Sequence, residues 1–557
     1  VTDRYAGAVF IVATTIACLI GQTLGDGAGS ETVGAWVFLH DKGIDPGAET
    51  EAAFRELEQT FDPRALARRR ARRTAPGLFD EHDLPVSNAY LDRIRKTGAD
   101  VRLISRWLNA ACIETDAAGL PELAALECVD RIEPFRRAAA EPGDLPDRHA
   151  DHATRDAGFY GVAFDQADQI NADALHQLGF TGEGVLVGVL DSGFSRIHEA
   201  FNEPGHPLDV LLEYDFVNND ADTSIEPTDP TDQHEHGTWI LGAIGSYDPG
   251  VLVGTGYDAS FILCKVEDVL GEYPAEEAMF VAGLEMIENN GGDVATSSVV
   301  MYGVDQSQLD GQTSLMARGV NIATANGVHV LQGCGNGGHD ANPATSTLLT
   351  PTDAFEVISI GSVDVNGASA WFTSDGPTAD GRTKPELLAR GVNTASVDVY
   401  ATSGVFYQNG ASMATPVAAG AVACLVQIHP EWTVQQMREA LFTTATDYTA
   451  NGTTDPLYIR GYGIIDALAA AYVSFCDGDL TTAGAGTGDA RYGMPDGDAT
   501  ASDLNYFVNG WVADDHAVAD VTTQGAGAGD PGYGGPDGQI TAADINYFVN
   551  AWVAGCQ

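Results

Sequence analysis

The chain has 557 residues, with 28 Lys and Arg against 79 Asp and Glu and a formal net charge of −51. Such a polyanion disfavours nucleic acid and anionic membranes as partners, and suits salty surroundings or bound divalent cations. The length exceeds one ordinary domain, and charge divides it: 18 basic and 24 acidic residues lie in 1–150, and 10 and 55 in the remainder.

The first segment, Ala8 to Ile20, is a short apolar run followed by small residues to Ser30. Its length predicts a secretory signal over residues 1–30; a membrane span takes about twenty residues. Thr15 to Cys18 is the poorer alternative, a lipoprotein cleavage site. No later stretch reads as long and apolar enough to cross a bilayer, so the product is expected to be secreted or attached at the cell surface.

Residues 33–138 form a small α+β unit. Trp36–Leu39, Val101–Asn109 and Val129–Glu133 read as strands, and Glu51–Phe61 and Leu120–Leu126 as helices. The run Arg68-Arg-Arg-Ala-Arg-Arg73 predicts a solvated basic helix, with a processing site for a basic-specific protease as the second reading. Residues 138–152 are rich in Pro, Asp and Glu and mark a junction, so 139–177 is taken as linker and start of the next domain.

That domain spans 178–470. Val185-Leu-Val-Gly-Val-Leu-Asp191-Ser-Gly193 is a continuous apolar run ending in a carboxylate. Parallel sheets bury such strands on both faces, and ligands gather at their carboxyl ends. His234-Glu-His236-Gly-Thr238 opens a small-residue helix. The two histidines are two apart, whereas the zinc hydrolase pattern places them four apart. Asn409-Gly-Ala-Ser412-Met-Ala-Thr-Pro416 precedes the apolar run Val417–Val426. It places a hydroxyl at the positive end of a buried helix, with Pro416 in the first turn. A serine hydroxyl is a poor nucleophile without an imidazole base, and the imidazole needs a carboxylate to set its tautomer. Ser412, His236 and Asp191 fill those roles.

An internal repeat at an offset of 41 residues closes the chain: Asp479, Asp489, Asp496 and Asp503 recur as Asp520, Asp530, Asp537 and Asp544. Thr500 and Thr541 are placed to cap two helices. Leu504, Phe507, Val508, Trp511 and Val512 form one apolar stripe, repeated by Ile545, Phe548, Val549, Trp552 and Val553. Asp496-Gly497 with Asp503, and Asp537-Gly538 with Asp544, match positions 5, 6 and 12 of an EF-hand loop, although position 12 is Asp rather than Glu. Tyr492 and Met494 occupy two expected ligand positions, so the eight aspartates are carried as candidate Ca2+ ligands. The other reading is a pair of capped helices with acidic, solvated loops. Cys476 and Cys556 bracket this pair and suit a disulfide. Cys112 and Cys128 are candidates to pair in the first unit. Cys264, Cys334 and Cys424 sit in small apolar contexts and read as buried thiols.

Asp-Ser-Gly, His-Gly-Thr and Gly-Ala-Ser-Met-Ala-Thr-Pro, in this order, resemble the three signatures of the subtilisin-like serine peptidases. The resemblance implies an α/β fold, a subtilisin-like parallel sheet flanked by helices. It also makes 33–138 a propeptide that assists folding and blocks the cleft. Asn336, after the strand Val328–Leu331, matches the family's oxyanion donor. Asp293–Val300 matches the substrate-binding segment, with Ser298, Val299 and Val300 on one wall and Val300 replacing a glycine. Gly333, Cys334 and Gly335 form the other wall. Phe372–Pro385 and Gly461–Ala467 resemble the stretches before the serine and at the family's end. Residues 476–557 resemble a small helical dockerin-like module, which implies Ca2+ and a cohesin-like docking partner; Ca2+ in the catalytic domain is a further possibility from the family. The expected function is hydrolysis of protein or peptide substrates by a secreted zymogen. The alternative is a calcium-dependent attachment protein with an inactive peptidase domain.

Overall fold

The computed structural model describes residues 32–135, 158–270 and 275–475, and in the C-terminal repeats 480–481, 493–495, 499–513, 515–519, 521–522 and 539–554. The expected signal, the junction before 158, Cys476, Cys556, and Asp479, Asp489, Asp496, Asp520, Asp530 and Asp537 lie outside the described residues.

The N-terminal unit runs β1 (Thr32–Leu39), α1 (Ala48–Thr60), α2 (Pro63–Arg72), α3 (Asn88–Lys96), β2 (Asp100–Ser105), β3 (Ala110–Asp116), α4 (Leu120–Ala124) and β4 (Val129–Pro134). Its sheet has the order β2-β3-β1-β4, with antiparallel pairing throughout. The single strand expected over 101–109 is β2 and its turn, where Asn109 adopts φ 49°; β3 follows. Alternate side chains divide between two cores, as period two requires. Ala35, Val37, Ile113 and Ile132 pack with Leu91, Ile94 and Leu123. Trp36, Phe38 and Cys112 face the catalytic domain. Cys112 and Cys128 therefore lie in different cores, and both are free thiols, not a disulfide.

The run Arg68–Arg73 is helical in α2 but it is not a solvated face. Arg68, Arg69 and Arg72 are 4%, 2% and 3% exposed, because their guanidinium groups reach carboxylates and carbonyls of the catalytic domain.

The catalytic domain is built on an eight-stranded sheet of β5 (Leu186–Asp191), β6 (Asp209–Asp215), β7 (Ser260–Lys265), β8 (Val294–Ser297), β9 (His329–Gly333), β10 (Ile358–Val363), β11 (Leu387–Arg390) and β12 (Gly463–Ile464). The order is β12-β11-β10-β9-β8-β5-β7-β6, and every neighbouring pair is parallel. Helices α5 (Glu235–Gly245) and α8 (Ala411–Ile428) pack on one face; α6 (Glu276–Asn289) and α7 (Leu315–Ala325) pack on the other. Residues 158–177 belong to this body, since Tyr160, Ala163, Ile170 and Leu175 share its main core. Among the described residues α8 is the one helix long and apolar enough to cross a membrane, against the reading that no later stretch is, and 83% of it is buried in protein. It is apolar all round because it is a central core helix.

Near the C-terminus, α9 (Ala501–Ala513) and α10 (Ala542–Ala554) occupy equivalent places in the two repeats. Phe507 and Phe548 stack with ring centroids 4.2 Å apart. The predicted stripe is only half used: Val512 and Val553 are 79% and 71% exposed.

Candidate active site

Strand β5 delivers Asp191 to the carboxyl edge of the sheet, fully buried. Its Oδ1 accepts from Ser192 N at 2.7 Å and from His236 Nδ1 at 2.8 Å. The bond from Nδ1 sets the imidazole tautomer and leaves Nε2 to act on a proton. His236 sits in the first turn of α5, and the motif around it follows from close packing. A Cβ on Gly237 would lie 2.3 Å from the Gly193 carbonyl and 3.1 Å from Asp191 Oδ1. Thr238 Oγ1 donates to the His234 carbonyl at 2.5 Å and accepts from Ser195 N at 2.8 Å, tying the helix start to the loop after β5. His234 does not join a ligand cluster with His236 among the described residues; the cluster there is Asp191, His236 and Glu267.

Ser412 is the second residue of α8, an 18-residue helix that packs along α5. Its N–H is among those without an intrahelical acceptor. Gly410 precedes it at φ 154°, and a Cβ there would lie 2.5 Å from Ser412 Oγ and 3.6 Å from Asn336 Nδ2. The Ser412 hydroxyl and the Asn336 amide therefore border the same small space. Asn336 is oriented by a bond from Ala411 N to its Oδ1 at 2.8 Å, which turns Nδ2 outward. Pro416 falls one turn deeper than expected, since the helix begins at Ala411. It has no N–H for the Ser412 carbonyl, and Ser298 Oγ donates to that carbonyl at 3.1 Å.

The loop bearing Asn336 is buttressed by 372–375. Gly337 N donates to Ser374 Oγ at 2.9 Å, Ser374 N to the Gly335 carbonyl at 3.1 Å, and Gly338 N to the Phe372 carbonyl at 2.8 Å. Of the two expected substrate walls, Ser298 and Val300 are half-buried at the end of β8, while Val299 points into the core. Cys334 also turns inward, against Leu309, Leu348 and Ala411. Burial pushes its thiol up to about 11, so Val299 and Cys334 have only backbone to offer a substrate. Gly333 lies buried beside Thr415, and Gly335, with φ 106°, lies buried beside Ser374.

The sequence reading missed Glu267. Its carboxylate lies within 4.8 Å of ligand atoms of both Asp191 and His236. Its place, two residues beyond the end of β7, is a strand-end position of the kind that hosts function.

Asp215, Asp220 and Glu226 bring carboxylate oxygens within 4.8 Å of one another, but Lys265 Nζ already bonds Asp215 and Asp229 at 2.7 Å each. Asp503 and Asp544 do not fit the position-12 ligand role. Asp503 accepts from Leu480 N, Thr481 N, Thr500 N and Thr500 Oγ1 at 2.6–2.9 Å. Asp544 accepts from Val521 N, Thr522 N, Thr541 N and Thr541 Oγ1 at 2.7–3.1 Å. Four donors use about four lone-pair sites of a carboxylate, so both aspartates are caps that tie a helix start to its loop.

A parallel α/β sheet with a carboxylate, an imidazole and a helix-borne serine at its carboxyl edge defines a serine hydrolase class. Comparison with known proteins carries this to a family. Residues 182–463 match the subtilase family, Peptidase S8, and residues 34–149 match the Peptidase S8 propeptide domain of Bacteroidota. Subtilisin E of Bacillus subtilis (strain 168) is 30% identical over 382 residues, covering 68% of this chain and 85% of that protein. Subtilisin of Bacillus pumilus is 31% identical over 314 residues, 56% of this chain and 98% of that one. In structure, the chain is similar to fervidolysin from Fervidobacterium pennivorans, a keratinolytic enzyme related to subtilisin, with a TM-score of 0.55 and 18% identity over 81% of this chain. It spans 62% of that neighbour, and the likeness concerns the fold. The chain belongs to the subtilase family, a subtilisin-like serine endopeptidase preceded by a propeptide domain.

Proposed function

We propose that the chain is an exported zymogen whose endopeptidase reaction is carried by Asp191, His236 and Ser412, with Asn336 as oxyanion donor. The bond from His236 Nδ1 to buried Asp191 at 2.8 Å carries the reading. His236 Nε2 takes the proton of Ser412 Oγ as the hydroxyl attacks the scissile carbonyl, and Asp191 stabilises the imidazolium. Charge that develops on the carbonyl oxygen meets Asn336 Nδ2 and the Ser412 N–H. Collapse expels the amine, which receives its proton from His236, and water then releases the acyl group by the same path reversed. Ser298 and Val300 on one side and Gly333 to Gly335 on the other bound the substrate. Comparing the parent chain with Ser412→Ala tests this: if both hydrolyse casein and lose the propeptide equally, the mechanism is wrong.

The signal reading of residues 1–30 supports export. For the C-terminal pair we infer attachment through a cohesin-like partner. Val512 and Val553, exposed at matching points of the two repeats, supply an apolar face for it. If Ca2+ binds here, Asp479, Asp489, Asp496 and their copies Asp520, Asp530 and Asp537 hold it, because Asp503 and Asp544 are engaged as caps. Calorimetry of the full chain against calcium, with and without Asp489→Asn and Asp530→Asn, tests that assignment.

A further inference from the structure

The chain is strongly acidic overall, yet 6 of its 28 basic residues fall between Arg64 and Arg73. Asp62 caps α2 by accepting from Arg64 N and Ala65 N, and Pro63 begins it, so the helix is firmly started. Its arginines reach the edge of the catalytic sheet from which the strands depart. Arg64 Nη2 donates to the Gly184 carbonyl at 2.6 Å and Nε to the Gly291 carbonyl at 3.0 Å. Arg68 donates to the Gly292 carbonyl at 2.7 Å and pairs with Glu288. Arg69 bonds both oxygens of Glu288 at 2.8 Å and Asp83 at 2.7 Å. Arg72 donates to the Pro430 carbonyl at 2.6 Å and lies 3.3 Å from Asp293.

Gly184, Asp293 and Asn326 precede β5, β8 and β9, whose far ends carry Asp191, Ser298 and Asn336. With strands of four to six residues, α2 lies about 15–20 Å from the catalytic cleft. The floor is also shaped for it. A Cβ on Gly291 would lie 2.7 Å from the Arg64 stem, and one on Gly327 2.6 Å from Arg72 Cβ.

We propose that the floor of the catalytic sheet is a docking surface for an arginine-bearing helix, filled by α2, that anchors the propeptide without using the cleft. The partner chemistry is specific: forked guanidinium groups that meet a carboxylate and main-chain carbonyls together, which an ammonium does not reproduce. Because the anchor is on the opposite edge, an occupant of the cleft does not compete with it. The inference rests on 32–135 being a propeptide, but not on self-cleavage.

The test uses the full chain with Ser412→Ala and a tobacco etch virus protease site inserted between residues 139 and 157. After that protease cuts the junction, native mass spectrometry follows separation of the two parts on dilution. Arg69→Gln and Glu288→Gln should each speed separation at least about tenfold, since each removes the buried, doubly hydrogen-bonded ion pair between the two parts. Arg70→Gln should change it less than about twofold, because Arg70 pairs with Glu58 at the surface. Arg69→Lys covers the case in which a glutamine variant does not fold. It keeps the charge but loses Nε, and with it the second of the two parallel bonds to Glu288, and should also separate at least about tenfold faster. Unchanged rates in whichever of these variants fold overturn the proposal.

Discussion

The hydroxyl of Ser298 donates to the main-chain carbonyl of Ser412 at 3.1 Å. Pro416 has no N–H to offer that carbonyl. Ser298, which the proposed function places on the substrate wall, thus supplies the donor missing from the helix turn that carries the proposed nucleophile. Ser298→Ala should cost about 1–3 kcal/mol of stability by orphaning a partly buried acceptor. In a Pro416→Ala background, where the helix can supply its own N–H, the loss should shrink. Urea denaturation of the four chains of this cycle measures the coupling; additive losses would show that the two sites are independent.

Asn336 uses its two side-chain atoms differently. Oδ1 accepts from Ala411 N, and in the proposed mechanism Nδ2 serves the oxyanion. Asn336→Ala should lower kcat by about 100- to 1000-fold, the size measured for the corresponding donor in a subtilisin. Asn336→Asp keeps an acceptor for Ala411 and loses the donor. It should fall at or below the alanine variant in kcat, since its carboxylate repels the developing oxyanion, yet exceed it in melting temperature, as steady-state kinetics and thermal unfolding would reveal.

Glu267 adds a third charged group beside Asp191 and His236. A carboxylate at this range favours the imidazolium. Glu267→Gln should therefore move the acid limb of the kcat/KM profile to lower pH. An unmoved limb would remove Glu267 from the catalytic electrostatics.

His329, at the start of β9, is fully buried with both ring nitrogens unpartnered. Burial first, then the charges of Arg72 and Arg68, hold it well below the ordinary imidazole range. The unfolded chain binds its proton near pH 6.5, so the stabilisation is present above that pH and is lost as pH falls below it. The slope is about 1.4 kcal/mol per unit for one proton. His329→Leu should flatten the fall in urea midpoint between pH 6.5 and 5 relative to the parent chain.

Asp503 distinguishes a cap from a ligand. Asp503→Ala should destabilise the C-terminal pair by about 1–3 kcal/mol whether or not calcium is present, since it strips the partners from buried N–H groups. A loss seen only with calcium would return Asp503 to the ligand set. Near-ultraviolet circular dichroism of the repeat tryptophans follows the transition.

Much of this protein was legible residue by residue. The apolar run ending in Asp191, the small-residue helix opening at His236 and the glycines before Ser412 are local patterns. Each is enforced by a local cause, such as burial on both strand faces or the closeness of Gly237 to Asp191. The 41-residue repeat reads equally well, because each copy must build the same cap from its own Thr and Asp.

Other features were settled by which surfaces meet. The arginine run spells a helix, but a basic helix in water and one buried on Glu288 have the same letters. Only docking against the sheet floor separates them. Cys112 and Cys128 fall into different cores because Cys112 lies on the face of β3 turned to the catalytic domain, whereas Cys128, in the turn before β4, packs into the core of the N-terminal unit. The apolar stripes of α9 and α10 show which residues share a face; the stacking of Phe507 on Phe548 decides which half is covered. Sequence alone determined the chemical groups and the order in which they arrive, since side-chain identity and local backbone preference are carried within a few residues. Tertiary structure decided which charges lie buried and which acceptors are already taken, because desolvation and pairing depend on neighbours hundreds of residues away.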